Sequence, residues 1–145
     1  SLFHLHSPFV GDGSFYDNEF SQEGLFKFQS DTIRRLAEAG SCVFVGRCAD
    51  YVLRDFKNVV NVFITANMDD RISEIRKRKE CTEAEALKLI ESGEKGRSTY
   101  YNYYTGKKWG DSSSYDLCVN TSLLGLEATE AYIKEFIQKV LNIDL

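Results

Sequence analysis

Arg47 follows Gly46 at the end of a short apolar run, Cys42-Val43-Phe44-Val45, and Asp50 stands three residues further on. A glycine lets the chain turn and lets an anion approach the backbone. The arginine beside it offers a planar fork of donors that matches phosphate oxygens. The same residues would also serve as a plain ion pair, Arg47 with Asp50 or Asp55. A second group is Arg71, Arg76 and Arg78, followed by Arg97. Cations gathered beyond a strand end could clamp a triphosphate and stabilise charge on a transferring phosphoryl group. They also suit a solvated helix face, with Glu74 and Arg78 as an i, i+4 pair. Glu94, three residues before Arg97, either pairs with it or leaves it facing a ligand.

A third group runs from Arg97 to Asp111. Arg97, Tyr100, Tyr101 and Tyr104 fall on one helical face, where tyrosine offers an apolar body with a polar tip. Aromatics followed by Lys107 and Lys108 could also stack single-stranded nucleic acid, but the net charge of −4 argues against a nucleic-acid partner. A packed aromatic helix with a basic exit loop is the plainer account of most of these tyrosines. His4 and His6 have strand-like i, i+2 spacing but no third ligand, so no metal site is expected.

The elements that must position these groups follow from periodicity. A chain of 145 residues, 43% hydrophobic and 28% charged, suits one globular domain, 1–145, able to bury a core. Its four cysteines, Cys42, Cys48, Cys81 and Cys118, show no CxxC spacing and read as reduced thiols of a cytoplasmic protein. Cys42 and Cys118 are expected inside strands as small apolar groups. No apolar run approaches the length of a membrane span, and Ser1 to Val10 lacks the basic start of a signal peptide.

Ser1 to Asp17 has no period and is read as loop. Leu25, Phe26, Gln29, Ile33, Leu36 and Ala37 predict a helix from about Ser21 to Ala39, stopped by Gly40. Cys42 to Val45 predicts a strand covered on both faces. Ala49 to Asp55 suits a short helix, and Val59 to Thr65 a β-branched strand. Asn67 opens a helix with Asp69 and Asp70 in its first turn. Thr82 with Glu85 predicts a capping box for a helix that Gly93 ends, and the helical pattern resumes from Glu94 to Tyr104. Leu117 to Asn120 predicts a third strand, and Glu127 to Leu141 a last helix with Ala131, Phe136, Ile137 and Val140 on its apolar stripe. Strands separated by helices imply a parallel sheet, and ligands of such sheets bind beyond the strands' carboxyl ends. That places Gly46 to Asp50, Thr65 to Asn67 and Asn120 to Ser122 at candidate positions.

Four motifs in order carry a resemblance: Gly46-Arg47-Cys48-Ala49-Asp50-Tyr51-Val52-Leu53-Arg54-Asp55; Asn61-Val62-Phe63-Ile64; Tyr100-Tyr101-Asn102-Tyr103-Tyr104-Thr105-Gly106 with Trp109-Gly110-Asp111; and Tyr115 to Gly125. Together they resemble the cytidylate kinase-like family, a branch of the P-loop nucleoside monophosphate kinases, from about Phe20 to the C-terminus. The resemblance implies a nucleoside-monophosphate-kinase-like α/β fold, a parallel sheet flanked by helices, with residues 67–111 including a lid-like helical segment. It implies ATP-dependent phosphorylation of a cytidylate-like nucleoside monophosphate, with ATP and Mg²⁺. Gly46, Arg47 and Asp50 would hold the acceptor, Arg97 and Arg71 would act on the transferred phosphoryl, and Arg76 and Arg78 would belong to the lid. Asn120 and Thr121 would lie near the donor nucleotide. The alternative is a non-catalytic nucleotide-binding or regulatory module on the same frame.

The family's Gly-x-x-x-x-Gly-Lys-Ser/Thr phosphate loop has no counterpart here, since Gly11-Asp12-Gly13-Ser14 lacks a lysine. The chain is therefore expected to be a fragment, inactive alone. In the family the loop-bearing strand is central, between those matching Cys42–Val45 and Val59–Thr65. Without it both neighbours carry unpaired backbone groups. The slot is expected to be empty, closed by rearrangement, or filled by another copy in a homo-oligomer or swapped dimer.

Overall fold

The computed structural model describes residues 19–145, with side chains from residue 22 onward; His4, His6 and the Gly11 to Ser14 turn lie outside them. Its elements are α1 (Glu19–Ala39), α2 (Ala49–Val52), β1 (Val62–Thr65), α3 (Met68–Lys79), α4 (Glu83–Thr105), a 3-10 turn (Ser112–Ser114), β2 (Leu117–Asn120), α5 (Thr121–Leu124) and α6 (Leu126–Leu141). The fold is a helix-rich α/β arrangement with a small parallel sheet, in which β1 pairs with β2 in the register Val62 to Leu117 through Thr65 to Asn120. Two compact units divide between Asp55 and Phe56. Among the described residues, no helix is long and apolar enough to cross a membrane.

In the first unit α1 packs on α2. Ile33 is buried, as are Cys48, Ala49, Val52 and Leu53 around the short helix. The buried face of α1 runs through Phe26, Ser30, Ile33 and Ala37, so Leu25 and Leu36 stand outside it, more than 40% exposed. Cys42 to Val45 is not the strand its composition predicts. Val43 and Val45 are 91% and 89% exposed, and the segment joins no ladder among the described residues. A β-branched run becomes a strand only where neighbours take its N–H and C=O groups, because propensity alone is weak. Cys42 is accordingly exposed, and its Sγ donates to the Leu36 carbonyl at 3.4 Å. Cys118 is exposed too, although it does lie in β2; all four thiols are free.

In the second unit α3 and α4 lie between β1 and β2 in sequence, and α5 and α6 follow β2. The start of the sheet is pinned by Asp116, whose carboxylate accepts the Asn61 N–H at 2.7 Å while its own N–H donates to the Asn61 carbonyl at 2.8 Å. α6 turns Thr129 inward, 1% exposed, with its hydroxyl donating to the Gly125 carbonyl at 2.6 Å. Phe136 and Ile137 share that side, whereas Ala131 and Val140 face outward. The difference arises because the 3.6-residue period fixes a stripe but not which of two adjacent stripes meets a neighbour.

Gly93 does not end a helix: α4 is continuous for 23 residues. Its N-terminus carries the expected capping box, with the Glu85 N–H donating to Thr82 Oγ1 at 3.2 Å and the Thr82 N–H donating to Glu85 Oε2 at 2.8 Å. Its C-terminus is Gly106, in the left-handed region at φ 67°. Between them Ala86, Ile90 and Tyr101 form the buried stripe. Thr82→Ala is expected to cost about 1 kcal/mol, the usual worth of an N-cap. Urea denaturation would measure the loss, and amide exchange should quicken at Glu83 to Ala86.

Candidate functional site

The carboxyl ends of β1 and β2 are tied together by side chains. The Asn67 N–H donates to Ser122 Oγ at 2.8 Å, and Asn120 Nδ2 donates to Asn67 Oδ1 at 2.9 Å. Thr121 Oγ1 donates to the Thr65 carbonyl at 3.2 Å, and the Ser122 N–H donates to Asn120 Oδ1 at 3.0 Å. Asn120 and Thr121 thus stand at the strand ends, with the named bonds joining protein to protein. A second Asn120 Nδ2 hydrogen and the Thr121 oxygen lone pairs are the groups left for a ligand by these bonds. The knot also fixes the start of α3, since Asn67 caps that helix with its backbone and not with its side chain.

Arg71 lies one turn into α3, where its Nη1 meets Glu94 Oε1 of α4 at 2.7 Å. Glu94 is therefore engaged across the helix pair and not with Arg97 on its own helix. Both partners are half-buried, so solvent screens the pair and its net worth is ~0–1 kcal/mol. α3 itself buries no residue. It is held to its surroundings by this ion pair, by Arg76 Nε donating to the Cys81 carbonyl at 3.3 Å and by the strand-end knot. Arg78 makes the plain i, i+4 pair with Glu74 at 3.0 Å. An open cleft of about 600 Å³ follows α3 past Arg76 and Lys77, but Asp69, Glu80 and Glu83 line it as well. Such a mixed lining has no preference for phosphate.

Arg97 is exposed, and its guanidinium carbon lies 5.7 Å from the centroid of the Trp109 ring. At an exposed site such a contact is worth ~0.5–1 kcal/mol. Gly93, four residues earlier on the same face, makes room for it: a Cβ there would stand 3.3 Å from Arg97 Nη1. A glycine inside a helix costs about 0.5–1 kcal/mol relative to alanine; Gly96, also in α4, has nothing within 4 Å of its Cβ position. Trp109 is held in turn, its N–H donating to Asn102 Oδ1 at 2.7 Å and its ring meeting Phe63 of β1 edge-on at 5.2 Å. Phe63 also contacts Tyr115, at 4.9 Å, and the Gly110 N–H donates to Tyr115 Oη at 3.3 Å. Asp111 closes the loop by accepting from the Ser113 hydroxyl at 2.7 Å and the Ser113 N–H at 3.0 Å, and these bonds hold its carboxyl below the usual range. Of the tyrosines, Tyr101 is buried and Tyr100 meets Tyr104 in a tilted contact at 4.8 Å, so packing accounts for much of the cluster. Strand ends, first turn of α3, middle of α4 and the Trp109 loop thus form one connected region. Neither the contact of Arg97 with Gly93 nor its Trp109 partner is readable in the sequence.

Gly46, Arg47 and Asp50 belong to the other unit, described by itself. Gly46, Arg47 and Cys48 lie in succession in the left-handed region, at φ 71°, 56° and 57°. The Ala49 N–H donates to the Gly46 carbonyl at 3.2 Å, and Asp50 enters the first turn of α2. Arg47 and Asp50 are half-buried. Burial pushes the Cys48 thiol up to about 12, with Asp50 adding to the rise and Arg47 opposing it, so this thiol is inert at neutral pH.

A guanidinium fork matches phosphate oxygens in general, but Arg71 and Arg78 are already engaged by Glu94 and Glu74. Among the described residues, no group of three or more His, Cys, Asp or Glu side chains could hold a metal ion. These residues therefore offer Mg²⁺ no cage of their own.

A model of the cytidylate kinase-like family matches residues 1–123. The match thus starts earlier than the four motifs, at residue 1, and leaves α6 outside. A crystal structure of an uncharacterized protein from Eubacterium ventriosum ATCC 27560 is similar at 31% identity and a TM-score of 0.78, over 81% of this chain and 67% of that one. No curated protein matches.

Proposed function

The chain belongs to the cytidylate kinase-like family, and from that premise we propose that the protein carrying it transfers a phosphoryl group from ATP to a nucleoside monophosphate of the cytidylate type. Such chemistry asks a protein mainly to position two nucleotides and to balance charge on the moving phosphoryl. In this reading Arg47, with Gly46 and Asp50 beside it, holds the acceptor phosphate. Arg97 balances charge on the transferred group, joined by Arg71 once phosphate displaces Glu94 from it; Arg76 and Arg78 belong to a lid built from residues 67–111, and Asn120 with Thr121 lies near the donor. The supporting observation is that Arg97, a cation with no carboxylate partner among the described residues, stands on α4 one turn from the Arg71–Glu94 pair. When ATP and Mg²⁺ are bound, they supply the phosphoryl group and its charge screening; the chain's own arginines bind and orient. The parallel-sheet frame of phosphate-loop kinases is part of the proposal.

The 145 residues contain no Gly-x-x-x-x-Gly-Lys-Ser/Thr, so they are expected to bind a nucleoside monophosphate without turning over. Calorimetric titration with cytidine monophosphate and with cytidine, beside a phosphoryl-transfer assay, tests this. Saturable binding of the monophosphate, at least about tenfold tighter than the nucleoside, is the expected result for a charge-assisted phosphate contact. Ordinary turnover would overturn the inactivity of these residues. Binding of neither compound would replace the kinase reading with a non-catalytic module.

A further inference from the structure

We propose that Trp109 is the resting seat of Arg97, and that an incoming phosphate chain draws the guanidinium off the indole. The inference rests on the phosphoryl-transfer reading and assigns Trp109 as a positioning residue for it. Glu94 is the carboxylate three residues before Arg97, but it is paired with Arg71 at 2.7 Å. Among the described residues no other carboxylate pairs with Arg97, whose guanidinium instead lies 5.7 Å from the Trp109 ring centroid and beside the bare backbone of Gly93.

The two kinds of seat differ in what they do to the charge. A carboxylate would neutralise the arginine and compete with a phosphate on equal terms. An aromatic face restrains the guanidinium while leaving its five donors without an anionic partner. The seat is firm because Trp109 is fixed at its backbone by Asn102 and at its ring by Phe63. The occupant is loosely held because it is exposed. A phosphate oxygen forms the stronger, charge-assisted hydrogen bond, so the balance tips toward release when a phosphate chain arrives. The Arg71–Glu94 pair is what keeps the nearby carboxylate away.

Trp109 is the single tryptophan of the chain, so its emission reports the seat directly. The experiment titrates the 145-residue protein with inorganic tripolyphosphate, following tryptophan emission and, in parallel, heat. A saturable change in emission that tracks the heat is expected. Arg97→Gln should show a shifted resting emission and no further response to tripolyphosphate. Trp109→Leu, which removes the competing ring, should bind tripolyphosphate about two- to five-fold more tightly, the factor set by an exposed cation–π contact. Trp109→Phe should stay within about twofold of the parent because it keeps a ring face.

Heat with a silent indole, or an Arg97→Gln protein that responds like the parent, overturns the seat and leaves the phosphoryl-transfer reading standing. Absence of heat in every protein removes the phosphate reading and this inference together. Arg97→Gln alters only an exposed side chain, so that comparison stands even if Trp109→Leu fails to fold.

Discussion

Replacing Arg47 with glutamine is expected to weaken nucleoside monophosphate binding by about 10- to 100-fold, the range of one or two charge-assisted hydrogen bonds to phosphate. The turn that carries it gives the physical ground. Arg47 and Cys48 hold left-handed φ values of 56° and 57° immediately after Gly46 at 71°. For residues with a Cβ this conformation costs of order 1–3 kcal/mol each and persists only where the surroundings over-determine it. Here the buried Cys48, Ala49, Val52 and Leu53 do so. Strain of this kind clusters at ligand clamps, which is the reason to expect a ligand at Arg47. Glutamine keeps the Cβ and the first part of the stem, so the left-handed turn should survive, and urea denaturation of the variant separates any loss of stability from loss of binding. Lysine keeps the charge but loses the planar fork, so Arg47→Lys should fall between parent and Arg47→Gln. Calorimetric titration with cytidine monophosphate checks all three. An Arg47→Gln protein that binds like the parent removes Arg47 from the acceptor site.

Gly110→Ala is expected to destabilise the protein by about 2–3 kcal/mol, from left-handed strain and overpacking together. Gly110 sits at φ 79°, where an alanine is strained, and its Cβ would meet Phe63 Cζ at 3.3 Å. That ring cannot give way cheaply, because it also contacts Trp109 and Tyr115. Gly106 provides the control. It has φ 67° but nothing within 4 Å of the point a methyl would occupy, so Gly106→Ala should cost only about 1 kcal/mol, the left-handed strain alone. The check is urea denaturation, with the midpoint falling and the slope unchanged. Equal losses in the two variants would show that the Phe63 contact carries no weight. A tryptophan emission change confined to Gly110→Ala would locate the damage at the Phe63–Trp109 contact.

Much of the local structure is legible in the residues. Thr82 and Glu85 announce their capping box because both bonds of the motif lie within four residues. Leu117 to Asn120 forms the strand expected of it, and β1 occupies the C-terminal part of Val59 to Thr65. Asn67 does begin α3, yet its amide serves Asn120, a partner far along the chain. The short helix α5 has no period to betray it, being a single turn started by the Asn120 cap. Gly93 looks like a stop because a glycine's freedom is visible in sequence, whereas the guanidinium that lies against it is not.

The candidate site divides along the same line. Residue types and motif order alone lead to the cytidylate kinase-like family, and they single out Gly46-Arg47 and the arginines of α3 and α4. They also leave open whether Glu94 pairs with Arg97 or leaves it to a ligand, and they give the Cys42–Val45 run a strand's composition. Tertiary structure decided both. Glu94 goes to Arg71, since an i, i+3 spacing permits a pair with Arg97 worth only a few tenths of a kcal/mol, ~0.2–0.5, and packing of α3 on α4 brings the other arginine to 2.7 Å. Cys42–Val45 stays outside the ladder because strand formation is completed by a neighbour's hydrogen bonds. Preferences contained within one or two turns are written in the residues themselves; pairings of similar energy are settled by whichever distant element the fold brings near.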